Sequence, residues 1–235
     1  MISVVIPTLN AEKGLPLCLS ALVPGVVHGL IRDVVIADGG SDDGTITIAS
    51  QSGATIIKSP SGRGVQLAAG AEAARGSWLL FLHADTVLET GWDDAARSFI
   101  EKIETGRRRP CAAAFQFALG DDGMAPRLLE TMVWLRASLL RVPYGDQGLL
   151  ISRTLFDEVG GYRLMALMED LDIVRRLGRK RITVLRSRAI TNAERYRKQG
   201  YFARVLRNQI CLAMYSLGVP AEKIARFYRG KHSSR

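Results

Sequence analysis

Residues 79–88 read LLFLHADTVL. An apolar run leads straight into His83, Ala84 and Asp85, and the chain turns apolar again after Thr86. An imidazole and a carboxylate at the tip of a core-type strand are groups that hold cations or hydrogen-bond polar ligands. Two other apolar runs stop in the same abrupt way. ISVVI ends at Pro7, followed by Thr8, Asn10 and Glu12, and DVVIA ends at Asp38, Gly39 and Gly40. A fourth group of polar residues, MEDLD, places Glu169, Asp170 and Asp172 at the opening of a helical pattern. Each has a plain explanation taken singly, since Asp and Gly end strands routinely and carboxylates favour helix N-termini. Whether they form a site depends on the elements that carry them.

β-branched and apolar runs predict strands at 2–6, 33–37, 54–58 and 77–82. Helical spacing predicts helices over 12–23, from about 42 to 50, and over 62–74 between them. This alternation implies an α/β fold with a mostly parallel sheet flanked by helices. In such sheets ligands sit beyond the carboxyl ends of the strands. Three strands therefore deliver Pro7, Thr8 and Asn10, then Asp38, then His83 and Asp85, to one edge. The second half is less regular. Strands are expected at 111–119, 148–152 and 181–185, and helices at 91–104, 127–140, 154–159 and 168–177. Two more helices are expected at 195–217 and 221–228, separated by Gly218 and Pro220. The reading is one domain over 1–190, with a nucleotide-binding half (1–90) continuous with an acceptor half (91–190), and a basic helical tail over 191–235.

Composition narrows the class. The 235 residues are 47% hydrophobic and 23% charged, enough to bury a core without disulfides or structural metals. Cys18, Cys111 and Cys211 are widely spaced among apolar residues and read as small core residues in a reducing compartment. MISVVIPTLN lacks a basic n-region, and no apolar run of about 18 residues occurs, so the expected location is cytoplasmic, with the inner membrane face as a variant. The net charge of +9 is concentrated in 175–188 and 194–207, which suits phosphates or anionic lipid heads. No helix-turn-helix, RNA-binding or zinc-finger pattern is present, so nucleic acid is not the expected partner. No G-x-G-x-x-G follows the first strand, and no P-loop or G-x-S-x-G elbow exists.

Taken in order, SVVIPTLNAE, VVIADGGSDDGT, LLFLHADT and MEDLDIVRRL resemble an inverting family 2 glycosyltransferase of GT-A fold, over about residues 2–185. HADT, GDQG and MED together are similar to a small bacterial subgroup labelled arsenosugar-biosynthesis glycosyltransferases. The resemblance implies hexosyl transfer from a UDP- or GDP-type sugar to an acceptor hydroxyl. It places Pro7, Thr8, Asn10 and Glu12 at the base and ribose, and gives Asp38 a hydrogen bond to the base. Arg63 would touch base or phosphate. HAD stands where the family has D-x-D, so Asp85 becomes the ligand of a divalent cation, Mn²⁺ or Mg²⁺. His83 replaces the first carboxylate, with Ala84 between them. Imidazole suits Mn²⁺ better than Mg²⁺, and a hard cation needs only one or two carboxylates beside phosphate oxygens. Asp170 is the implied general base, with Glu169 in support. Asp146 and Gln147, in PYGDQG, would face the donor or acceptor sugar. No histidine follows the last strand, so Arg195, Arg197 and Lys198 are the candidates to clamp the diphosphate. The tail mixes apolar and basic residues; it is expected to pack on the domain, the other reading being contact with a membrane near a lipid-linked acceptor. A nucleotidyltransferase and a non-catalytic binding protein are the alternative functions.

Overall fold

The computed structural model describes residues 1–135, 145–165 and 167–229, without the side chains of Trp134, Arg195, Lys198, Gln199, Phe202 and Arg229. The first half is four strands, β1 (Ile2–Thr8), β2 (Ile31–Asp38), β3 (Thr55–Lys58) and β4 (Trp78–Phe81), joined by α1 (Leu15–Val27), α2 (Thr45–Gln51) and α3 (Arg63–Ala73). These strands pair in parallel, as the alternation predicts. The second half runs β5 (Thr86–Leu88), α4 (Trp92–Glu104), β6 (Ala112–Leu119), α5 (Met124–Leu135), β7 (Leu149–Ser152), α6 (Arg153–Glu158), α7 (Glu169–Leu177) and β8 (Ile182–Thr191). The chain then continues as α8 (Glu194–Gln199), α9 (Tyr201–Ser216) and α10 (Ala221–Arg229).

All eight strands form one sheet in the order β3-β2-β1-β4-β7-β6-β8-β5. β7 is antiparallel to β4 and β6, and β5 is antiparallel to β8, so the sheet is mixed but mostly parallel. The period of two in each central strand divides its side chains between two cores. Ile2, Val4 and Ile6 join Trp78, Leu80 and Leu82 in the core under α1 and α4. Val5, Leu79 and Phe81 join Leu67, Phe156 and Ile173 in the core under α3, α6 and α7. Strands covered on both faces read as unbroken apolar runs, and this is why they were legible.

Three differences from the expected elements have direct causes. β1 continues through Pro7 to Thr8. Val5 accepts from Leu82 N–H on the β4 side, so Pro7, two residues on, faces the same side beyond the end of β4, where no ladder donor is needed. Residues 86–88, expected only to re-enter the core, form a strand paired with the end of β8, which runs six residues further than 185. The helix expected over 195–217 breaks at Gly200, whose φ of 81° no helix accommodates. The part of the helix expected beyond Leu135 lies outside the described residues.

Candidate active site

The carboxyl ends of β1, β4 and β8 and the start of α7 surround a cleft of about 760 Å³. Pro7, Thr8, Asn10 and Glu12 line one part, and Arg63 enters from the first turn of α3. His83, Ala84 and Asp85 form another part beside Asp146, and Asp170 opens α7. Gly14, just before α1, lies against this segment. A Cβ there would sit 2.9 Å from Ala84 O and 3.0 Å from Asp85 Cα, so only glycine lets α1 seat the HAD turn this closely. The buried Cys18 thiol is directed at His83 O, 3.5 Å away. Burial, with Asp85 beside it, pushes that thiol up to about 12, so it stays a protonated donor. All three cysteines are buried and outside any disulfide, as expected of core residues.

The loops after β1 and β2 are laced together. Thr8 Oγ1 donates to Asp38 Oδ1 (2.9 Å), and Asn10 Oδ1 accepts from Asp42 N–H (3.0 Å). Glu12 Oε2 accepts from Gly44 N–H (3.0 Å), and Ala11 N–H donates to Thr45 Oγ1 (2.8 Å). Asp38 also accepts from the N–H groups of Gly40 and Ser41 and from Ser41 Oγ. A carboxylate has about four acceptor sites, and here four are filled. Burial works upward on this carboxyl, but these hydrogen bonds outweigh it and lower its pKa. Asp38 therefore holds the loop and is not among the residues lining the cleft. A hydrogen bond from a base, which the resemblance implies, would have to compete with these four donors.

Four ionisable side chains meet here: His83, Asp146 and Arg63 line the cleft, and Glu169 lies buried behind them. His83 Nδ1 lies 3.0 Å from Asp146 Oδ1. Burial works upward on Asp146, but the His83 hydrogen bond and the charges of His83, Arg63 and Arg204 hold it at about 2. A proton on His83 Nδ1 satisfies that contact and leaves Nε2 with a lone pair. Arg63 Nε lies 3.6 Å from Glu169 Oε1. The Glu169 side chain is 1% exposed, and among the described residues neither of its oxygens has a hydrogen-bond partner. Burial, reinforced by Asp170, raises its pKa against the pull of Arg63. Asp172 turns away from the cleft. It is buried and paired with Arg163 (3.2 Å) and Arg176 (2.6 Å).

Among the described residues no three His, Cys, Asp or Glu side chains converge as a ready-made metal site. A hard cation held between one carboxylate and phosphate oxygens needs no such cluster. Asp85 faces the cleft, and among the described residues no donor to its carboxylate is recorded. A hydrogen-bonded carboxylate behind a histidine is also the usual support of a metal-ligating imidazole. The donor set at HAD therefore fits a divalent cation.

Residues 3–166 match the model of glycosyl transferase family 2. The chain belongs to this family. An uncharacterized glycosyltransferase of Mycobacterium tuberculosis is 32% identical over 115 residues, 47% of this chain and 50% of the relative. A PGL/p-HBAD biosynthesis glycosyltransferase of the same organism is 38% identical over 95 residues, 37% of this chain and 36% of the relative. The chain thus matches half the length of the first and about a third of the second. Among solved structures, glucosyl-3-phosphoglycerate synthase from M. tuberculosis, in complex with Mn²⁺, UDP and glucosyl-3-phosphoglycerate, superposes with a TM-score of 0.61 at 21% identity, over 94% of this chain and 81% of that one. TarS 1-349 of S. aureus, in complex with UDP-GlcNAc, gives 0.60 at 18% identity, over 81% and 58%. At these identities the structures establish the GT-A-type fold alone. None of these relatives carries the arsenosugar label.

Several expected site residues of this glycosyltransferase lie elsewhere. Gln147 is buried, donates to Phe115 O (2.9 Å) and braces β6; it does not face the cleft. Arg197 points to Asp121, 3.9 Å away, and is not in the cleft lining. The side chains of Arg195 and Lys198 lie outside the described residues, as does Tyr144 of the PYGDQG motif. The tail contributes Arg204 instead, from α9. Its guanidinium sits over the rings of Tyr196 (5.4 Å) and Tyr228 (5.6 Å) and donates to Tyr228 Oη (2.8 Å). Gln66 was also missed. It is buried on α3, and its Nε2 donates to Thr8 O (2.7 Å) and Ala37 O (2.8 Å), stapling the ends of β1 and β2. Its only signal was a glutamine on the apolar face of an Ala-rich helix.

Proposed function

We propose that the chain transfers a sugar from a nucleoside-diphosphate sugar to an acceptor hydroxyl with inversion. The observation that carries this reading is that Asp85, His83 and Asp170 line one cleft with the laced loops after β1 and β2. Those loops, through Pro7, Thr8, Asn10 and Glu12, suit the nucleoside. Asp85 would hold a divalent cation, Mn²⁺ or Mg²⁺, together with diphosphate oxygens, and His83 Nε2 is free to join it. When bound, that cation stabilises charge on the leaving diphosphate. Asp170 takes the proton from the acceptor hydroxyl as its oxygen bonds to the anomeric carbon. The bond from that carbon to the diphosphate breaks, and its electron pair leaves with the diphosphate. Glu169 is enclosed and paired with Arg63, so it positions Arg63 and does not meet the substrate. Arg63 and Arg204 supply positive charge to the cleft. The similar solved structures in complex with UDP or UDP-GlcNAc support a uridine donor.

The test is a thermal-shift panel of UDP, GDP, CDP and dTDP, each with Mn²⁺, Mg²⁺ or chelator. A ligand at about 100 times its Kd stabilises by roughly 2.7 kcal/mol. The expected result is a UDP shift that grows with metal and is lost in Asp85→Ala. Asp170→Asn should retain that shift and lose release of free UDP from the sugar donor. A UDP shift that survives chelator and Asp85→Ala would overturn the metal role. No shift with any diphosphate would overturn the donor class.

A further inference from the structure

We infer that the His83–Asp146 pair sets which divalent cation the cleft accepts, favouring Co²⁺ and Mn²⁺ over Mg²⁺. The inference rests on the metal role proposed for Asp85 and adds to it a choice among cations. Asp85 and diphosphate oxygens serve all three cations alike; the atom that distinguishes them is the imidazole nitrogen two residues away.

His83 and Asp146 are brought together by backbone held on both sides. His83 O accepts from Thr86 N–H (3.1 Å), closing the turn that carries Ala84 and Asp85, and from the Cys18 thiol (3.5 Å). Asp85 O accepts from Asn192 N–H (3.3 Å), which ties the same turn to the chain just past β8. Asp146 arrives on the short turn Gly145–Gln147, ahead of β7. Gln147 anchors that turn to Phe115 O (2.9 Å), and Thr191 Oγ1 donates to Asp146 O (3.4 Å). Gly148 follows with a φ of 64°, and a Cβ there would meet Leu82 Cδ2 at 2.9 Å, so the turn is seated against the residue before His83. The outcome is the 3.0 Å contact between His83 Nδ1 and Asp146 Oδ1, at the wall of the cleft that Asp85 also lines.

A carboxylate only accepts, so the hydrogen of this contact sits on Nδ1 and Nε2 keeps its lone pair. A carboxylate in this position fixes the tautomer and the orientation of an imidazole ligand. Mg²⁺ takes oxygen donors and parts with its water reluctantly, so a nitrogen adds little to its binding. Affinity at a site that includes nitrogen rises from Mn²⁺ to Co²⁺. His83 Nε2 therefore adds to the binding of Co²⁺ and Mn²⁺ and leaves Mg²⁺ to Asp85 and the phosphates. Asp146 acts through His83 and is a positioning residue.

The test reads binding, not turnover. Mg²⁺, Mn²⁺ and Co²⁺ are titrated into the full chain with UDP, and the apparent affinity of each is taken from the UDP thermal shift. Co²⁺ and Mn²⁺ should act at lower concentration than Mg²⁺. His83→Asn keeps an N–H where Nδ1 stands, so the contact with Asp146 can persist, but it has no atom in the place of Nε2; the preference for Co²⁺ over Mg²⁺ should fall about tenfold or more. Asp146→Ala should weaken Co²⁺ by about 10–100-fold with little change for Mg²⁺, and Asp146→Asn, whose amide oxygen still accepts from Nδ1, should restore part of the loss. Pulsed EPR of the Mn²⁺–UDP complex should show coupling to an imidazole nitrogen in the wild type and none in His83→Asn. The inference is overturned if His83→Asn weakens all three cations alike, as it would if Nε2 only donated to a phosphate, or if the nitrogen coupling is missing from the wild type. A metal-dependent shift that Asp85→Ala abolishes, but that is equal with Mg²⁺ and Co²⁺, overturns this inference alone. A UDP shift indifferent to every cation overturns the metal role beneath it as well.

Discussion

Removing the Arg63 side-chain charge should make the stability of the protein depend on pH in one direction. Arg63→Met keeps much of the aliphatic volume and leaves Glu169 1% exposed, without a hydrogen bond among the described residues and without its cation at 3.6 Å. An uncompensated buried carboxylate costs several kcal/mol, so the group instead takes a proton. Its ordinary value is 4.5, and holding a neutral carboxyl at pH 7 costs at most about 3.4 kcal/mol at about 1.4 kcal/mol per pH unit. Part of this is already present in the wild type, where the Glu169 pKa is raised, and Arg63 is 38% exposed, so its pull is screened. The variant should then lose about 2 kcal/mol at pH 7, or about 4–8 °C in Tm for a chain of this size. The sign follows from the raised folded-state pKa. The stability is fully present below about 4.5 and is lost as pH rises through the folded value. Denaturant titrations at intervals from pH 4.5 to 8 should show the variant converging on wild type at the acid end and diverging towards neutrality. Adding Glu169→Gln removes the titrating group and should flatten the difference. A loss of equal size at every pH, or a slope that survives Glu169→Gln, would refute the reasoning.

Three further outcomes follow from named contacts. Asp172→Ala leaves Arg176, 18% exposed, without its partner, and should cost about 3 kcal/mol in equilibrium denaturation while leaving the UDP shift intact in the folded fraction. Gly14→Ala places a methyl group 2.9 Å from Ala84 O and should displace the HAD turn; the expected signature is a loss of at least tenfold in metal-dependent UDP affinity with a Tm change of only a few degrees. Gln66→Leu removes both hydrogen bonds that join Thr8 O to Ala37 O, although Thr8 O keeps the Gly39 N–H (2.9 Å), and should cost about 2 kcal/mol by thermal or chemical denaturation and weaken UDP binding through the loosened β1 and β2 ends.

What the sequence disclosed and what it withheld divide along a physical line. β1, β2 and β4 are enclosed on both faces, so burial alone writes them as unbroken apolar runs, and the polar residue that ends each run marks the edge of the sheet. His83 and Asp85 were legible for that reason, since the chain must stop being apolar where it meets the cleft, whereas Asp170 stood out as a carboxylate opening a helix. The direction of a side chain beyond that edge is set by partners distant in sequence. Asp38 and Asp85 end equivalent runs, yet Asp38 is consumed by Ser41 and Thr8, while among the described residues no donor to Asp85 is recorded. Gln147 and Asp146 are neighbours, yet one turns to Phe115 and the other to His83. Arg197 and Arg204 belong to one basic stretch, and the glycine between them, Gly200, ends α8 and begins α9, so that only the second arginine is brought to the cleft. A run of like charges does not say which member turns inward. The tertiary partner decides, and for Arg204 that partner is the pair of rings at Tyr196 and Tyr228. Helix α9 is therefore part of the cleft wall on one face, with Leu206 and Ile210 exposed on the other, an arrangement that a boundary drawn at residue 190 conceals.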